Sequence, residues 1–151
     1  MPTPFSGGCA CRAVRYECTT EPLISWKCHC RDCQRASGSA FAPLLYVVAA
    51  TLTSTGEVKY YEVRGESGWT FSRGFCPECG SPVLVRPGTR PEFPELIGVW
   101  AASLDDPSWV QPTTDIWTGS AQPWDHMHPA LPKFARQPTE DQIKELLLPR
   151  G

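Results

Sequence analysis

This 151-residue chain has no apolar run long enough to cross a bilayer. The longest, Phe41 to Ala50, spans ten residues and is broken by Pro43, whereas a spanning helix needs roughly 20. An excess of one charge is also missing, since 14 Lys+Arg face 16 Asp+Glu for a formal net charge of −2. Gripping phosphates takes a basic face, so no nucleic-acid partner is expected. The opening segment, Met1 to Gly8, has neither the basic nor the apolar region of a secretory signal. Together these absences lead us to expect a soluble, cytoplasmic protein that engages no membrane.

Long helices are excluded by proline, which fixes φ and removes a backbone donor. There are 16 prolines, ten of them at or beyond Pro87. The C-terminal half is therefore expected to be irregular chain wrapped over a β core. Hydrophobic residues (41%) and aromatics (11%) are sufficient for that core, and the length suits one domain, residues 1–151. Strands are expected over Ala13–Glu17, Leu23–Lys27, Ala40–Val48, Glu57–Val63, Trp69–Phe75, Pro82–Arg86 and Leu96–Ala101, with Gly and Pro between them. One helix is expected near the end: Thr139 as N-cap, Gln142 completing a capping box, an Ile143/Leu146/Leu147 stripe, and Pro149 as the stop. A short helical turn is expected across Arg31 to Ser37.

What the chain does have is cysteine, and it is clustered. Seven of the eight lie in Cys9-x-Cys11, Cys28-x-Cys30-x-x-Cys33 and Cys76-x-x-Cys79. A disulfide framework fits poorly, because a bridge within Cys9-x-Cys11 would be strained and a reducing compartment disfavours it. Paired thiolates at this spacing suit zinc, which takes four ligands tetrahedrally. Seven divides into a closed four-ligand site and a three-ligand site with an open position. Cys76-Pro-Glu-Cys79-Gly80 has the form of a zinc knuckle, and either Cys30-x-x-Cys33 or Cys9-x-Cys11 could complete it; spacing alone does not choose. Cys18 belongs to no cluster and is expected to be a free thiol.

Three thiolates make a bound zinc a weak Lewis acid, better suited to accepting a soft thiol than to activating water. Arg35 follows the middle cluster, where it could fork a substrate carboxylate or simply face solvent. His29, between two cysteines, is expected to make a supporting hydrogen bond or to be exposed, and His126 and His128 are not expected to bind metal. Asp105-Asp106-Pro107 and the Trp117…Trp124 stretch read as turn and core.

Gly7-Gly8-Cys9-x-Cys11-x-x-Val14-Arg15-Tyr16, Cys28-His29-Cys30-x-x-Cys33-Gln34-Arg35 and Phe75-Cys76-x-x-Cys79-Gly80-Ser81 resemble the glutathione-dependent formaldehyde-activating enzyme family, which also contains centromere protein V. The likeness continues through Leu104-Asp105-Asp106-Pro107, Ile116-Trp117, Ser120-x-x-Pro123-Trp124 and Leu131-Pro132-x-Phe134, so it runs from Phe5 to Pro138. The resemblance implies a tent-like arrangement of antiparallel β-sheets and two zinc ions. It assigns Cys9, Cys11, Cys76 and Cys79 to a structural zinc, and Cys28, Cys30 and Cys33 to a catalytic one. It implies a carbon–sulfur lyase joining a small aldehyde, formaldehyde in the named reaction, to the thiol of glutathione. A non-catalytic zinc-binding interaction module on the same fold is the alternative. Two positions depart from the pattern: Arg12 stands where the family usually has Gly, and Asp115 where it commonly has His.

Overall fold

The computed structural model describes residues 3–65, 68–89 and 93–147. The chain runs β1 (Phe5–Gly8), β2 (Arg15–Cys18), β3 (Ile24–Cys28), α1 (Arg31–Ser37), β4 (Ala42–Val48), β5 (Leu52–Thr55), β6 (Lys59–Arg64), β7 (Thr70–Phe75), β8 (Pro82–Pro87), β9 (Leu96–Trp100), β10 (Thr114–Ile116), β11 (Lys133–Phe134) and α2 (Glu140–Glu145). The expectation of a mainly β protein with one short C-terminal helix holds. Strands β1, β2 and β5 form a three-stranded sheet, and the other eight form a second in the order β11-β10-β3-β4-β9-β8-β7-β6. Pairing is antiparallel except at β10, which lies parallel to both β3 and β11.

The elements follow from the chain locally. α1 covers the expected turn residue for residue; Cys30 caps its start by accepting the Cys33 N–H, and Gly38 ends it at φ 67°. A left-handed φ is open to glycine without steric cost. α2 carries the expected capping box, Thr139 and Gln142 each bonding the other's backbone. Pro149, expected to stop it, lies outside the described residues. β1, β5, β10 and β11 were not expected. The last two tie the stretch beyond β9 to the sheet, through the β10 contacts to β3 and β11.

Alternation along β4 builds two cores. Leu45 and Val47, with Ile97 and Val99 of β9, pack against Phe5, Tyr16 and Cys18 of the small sheet. Leu44 and Tyr46 belong to a second cluster with Trp26, Val85, Trp100 and Ile116. A strand buried on both faces sends successive side chains to opposite sides. Cys9 and Cys76 sit in the first cluster, and Cys28 and Cys33 in the second. One sheet thus divides the cysteines between its two faces.

Candidate functional site

All eight cysteines are free thiols. The sulfurs of Cys9, Cys11, Cys76 and Cys79 converge within 4.8 Å of one another, and so do those of Cys28, Cys30 and Cys33. Of the two pairings that spacing left open for the knuckle, the fold brings Cys9-x-Cys11 to it. Turn chemistry does the positioning. Gly80 takes φ 76° and returns its N–H to the Cys76 carbonyl at 2.8 Å. The Glu78 N–H points at the Cys76 sulfur at 3.4 Å, and the Val14 N–H at the Cys9 sulfur at 3.2 Å. Ser81 Oγ receives the Ala10 N–H, tying the two cysteine loops together. Arg12 occupies the left-handed region at φ 67°, which accounts for the glycine usual in this family position.

The donor sets fit zinc. Four sulfurs at about 2.3 Å from one ion stand about 3.8 Å apart in a regular tetrahedron; here Cys9 and Cys11 are 3.6 Å apart and Cys11 and Cys76 are 3.7 Å apart. A disulfide would need about 2.05 Å. Proton affinities make the same point. In the three-cysteine cluster, sulfur contacts from Cys28 and then Cys33 bring Cys30 down to about 3. Contact with Cys30, then Cys33, pushes Cys28 well up. Cys28 pulls on Cys33, but Cys30 and burial outweigh it and raise Cys33 to about 12. The protein alone thus holds one thiolate here readily, and a cation is what would allow three.

The two clusters differ in exposure. In the first, Cys9 and Cys76 are buried while Cys11 and Cys79 are exposed. In the second, only Cys30 is partly exposed, and the cluster opens onto a cavity of about 340 Å³. Ile24, Trp26, Leu44, Tyr46, Phe71 and Trp100 supply apolar wall, and Arg31, Arg35, Arg64 and Arg73 also line the cavity. Arg35, the arginine singled out from sequence, is an exposed lining residue. The arginine that reaches the cluster is Arg73, whose Nη2 donates to the Cys33 sulfur at 3.5 Å. Sequence reasoning missed it because it lies on β7, forty residues away. Trp117, read as core, is buried and also lines the cavity, whereas Trp124 is 65% exposed.

His29 is fully buried, and its role is support. Its Nε2 lies 2.8 Å from Asp115 Oδ1. Asp125 Oδ2 approaches Nδ1 to 3.0 Å but out of line for a hydrogen bond. Asp115, the second departure from the family pattern, also meets Lys27 at 3.5 Å and Lys133 at 3.3 Å. Burial pushes its carboxyl up, but His29 and Lys27 outweigh burial and hold it below the usual range. Gln34 adds a clamp, its Nε2 donating to the His29 and Ser120 carbonyls. His128 is exposed and accepts the Ala130 N–H; neither it nor His126 joins a cysteine cluster. Cys18 is buried against Thr20 and Thr51. Asp105 pairs with Arg15, and Asp106 turns back to Ser108. No helix among the described residues is long and apolar enough to cross a membrane.

Comparison with known proteins agrees with this picture. A Rhodobacter sphaeroides protein of known crystal structure is 25% identical to this chain, with a TM-score of 0.50 over 71% of this chain and 91% of its own. No curated protein sequence matches. The family model described as "Glutathione-dependent formaldehyde-activating enzyme" matches residues 4–120. A match over that much of the chain, carrying all seven clustered cysteines, means that this protein belongs to the glutathione-dependent formaldehyde-activating enzyme family.

Proposed function

We propose that the protein joins an aldehyde to the thiol of glutathione or a similar thiol, as a carbon–sulfur lyase, at Cys28, Cys30 and Cys33. The observation that carries this reading is that three sulfurs converge at the edge of a cavity large enough for substrates. In this reading Cys9, Cys11, Cys76 and Cys79 hold a structural zinc and Cys28, Cys30 and Cys33 a catalytic one. Zinc bound by the three would keep an incoming sulfur as thiolate at neutral pH.

The chain's own groups do the rest. Arg31, Arg35 and Arg64 offer forks for the carboxylates of a glutathione-like thiol. Arg73, with burial opposing its charge but Cys33 and Cys30 sustaining it, stands where it can meet negative charge developing on a carbonyl oxygen. The apolar wall keeps water from competing for the aldehyde. In the reaction the sulfur–carbon bond forms, the carbonyl π pair moves to oxygen, and the thiol proton ends on that oxygen. We treat residues 1–151 as one domain working in the cytoplasm, where reducing conditions keep the thiols free.

NMR exchange between free aldehyde and its glutathione hemithioacetal tests this, using zinc-loaded protein with formaldehyde and with larger aldehydes. Exchange faster than the protein-free control, and lost in Cys33→Ser, is the expected result. Protein-free rates for every aldehyde would remove the enzymatic reading and leave a zinc-binding interaction module.

A further inference from the structure

The cavity beside the three cysteines measures about 340 Å³, within the range of small-molecule pockets, about 300–1,000 Å³, and it is the chemistry of its walls that speaks to the substrate.

The lining has an apolar wall and a charged side, with β7 giving Phe71 to the one and Arg73 to the other. Apolar side chains come from the middle of the large sheet: Ile24 and Trp26 on β3, Leu44 and Tyr46 on β4, Leu96 and Trp100 on β9. Trp26 and Tyr46 meet edge to face, with ring centroids 5.4 Å apart at 65°, so part of this wall is a packed aromatic corner. Charged lining residues come from α1, β6, β7 and the approach to β9: Arg31, Asp32, Arg35, Arg64, Arg73 and Glu95. Arginines outnumber carboxylates there by four to two, which suits an anionic molecule.

Glutathione explains only the charged side. Its two carboxylates and ammonium need water or partners, and burying them against Ile, Leu, Trp and Tyr would be costly. The apolar side therefore calls for a different occupant, next to the sulfur. Cys28 and Cys33 are themselves members of the apolar cluster that includes Trp26, Leu44, Tyr46 and Trp100. A group joined to the incoming sulfur would lie against that wall.

We propose that the carbonyl substrate is an apolar aldehyde of aromatic-ring size, its hydrocarbon part seated on the β3–β4–β9 wall, rather than formaldehyde. This rests on the thiol–aldehyde reading of the same site. The reaction stays balanced and redox-neutral: glutathione sulfur bonds to the aldehyde carbon, and the thiol proton passes to the former carbonyl oxygen. Only the substituent on that carbon differs.

Unreactive thioethers separate this proposal from the reading beneath it. S-benzylglutathione mimics the adduct of an aromatic aldehyde, and S-methylglutathione that of formaldehyde. Calorimetry on the zinc-loaded protein is expected to give at least about tenfold tighter binding for the benzyl compound, since ring burial on an apolar wall easily supplies that factor. Leu96→Trp, which fills the wall from β9, is expected to bring the ratio near one. Equal binding of both thioethers to the wild type overturns the aromatic substrate while leaving the thiol site intact. Binding of neither overturns the thiol reading and this inference with it. A folded Leu96→Trp protein that keeps the ratio also overturns it. Should that variant not fold, the wild-type ratio and a kinetic comparison decide: kcat/KM for phenylacetaldehyde is expected to exceed that for formaldehyde by at least about tenfold, and the opposite order overturns the proposal.

Discussion

The two cysteine clusters occupy opposite faces of one sheet and use the same side chain for different ends. The four-cysteine cluster is bound into tight turns, with Cys76 and Cys9 anchored in the core between the two sheets and Cys11 and Cys79 facing solvent. Its backbone N–H groups already point at sulfur, and no cavity residue belongs to it. The three-cysteine cluster is the reverse: it is largely buried, one ligand short of a tetrahedron, and open to a cavity. Four donors with exposed edges suit the fastener proposed above, whereas three donors beside a walled cavity suit the proposed chemistry.

The sharpest way to break this contrast is to remove one ligand from each side. Cys76→Ser is expected to abolish cooperative thermal unfolding and lose both ions, because structural zinc binding of about 10 kcal/mol or more is coupled to folding. Cys33→Ser is expected to keep a cooperative melt, lose one zinc per chain by metal analysis, and lose the exchange activity. The reverse order of severity would exchange the two roles.

Smaller changes sharpen the contrast around the open site. Asp115→Asn replaces the carboxylate that bonds buried His29 and removes the counter-charge of Lys27 and Lys133. A loss of about 3 kcal/mol in denaturant unfolding is expected, in line with breaking a buried charged network. Arg73→Gln deletes the charged contact to Cys33. It is expected to slow the aldehyde–hemithioacetal exchange by about tenfold or more, with little change in melting temperature, because a charged hydrogen bond to the developing oxyanion contributes about 1.5–3 kcal/mol.

The smallest effect is a pH dependence outside both sites. Hydrogen bonds from Arg15 and then Ser6 hold Asp105 down at about 2. Since its folded value is depressed, the pair stabilises fully above the unfolded value, about 4, and loses that contribution as pH falls toward 2. Arg15 and Asp105 are 29% and 45% exposed, so solvent screening limits the effect to about 1 kcal/mol or less. Asp105→Ala should flatten that part of a stability-versus-pH curve and leave zinc content unchanged.

The clusters were legible because ligand spacing is a local property. So were α1 and the α2 capping box, whose signals span only a few residues. Which cysteine pairs share a site was beyond spacing: Cys11 and Cys76 lie 65 positions apart, and the chain between them carries no local mark of their meeting. Arg73 was hidden for the same reason, and Arg35 drew notice only by adjacency. β10 and β11, three and two residues long among prolines, have too little pattern to detect and exist through pairing with β3 and each other. Asp115 was visible as a departure from the family, but its bond to His29 spans 86 residues.

Leu44 and Tyr46 face the cavity, and Leu45 and Val47 face the small sheet. Sliding β4 by a single residue against its neighbours would swap these two sets. Both cysteine-cluster neighbourhoods would be mislined at once, one crowded and the other hollowed. An insertion within those seven residues is therefore expected to disturb both cysteine clusters together, because the linings of both depend on the phase of the same strand.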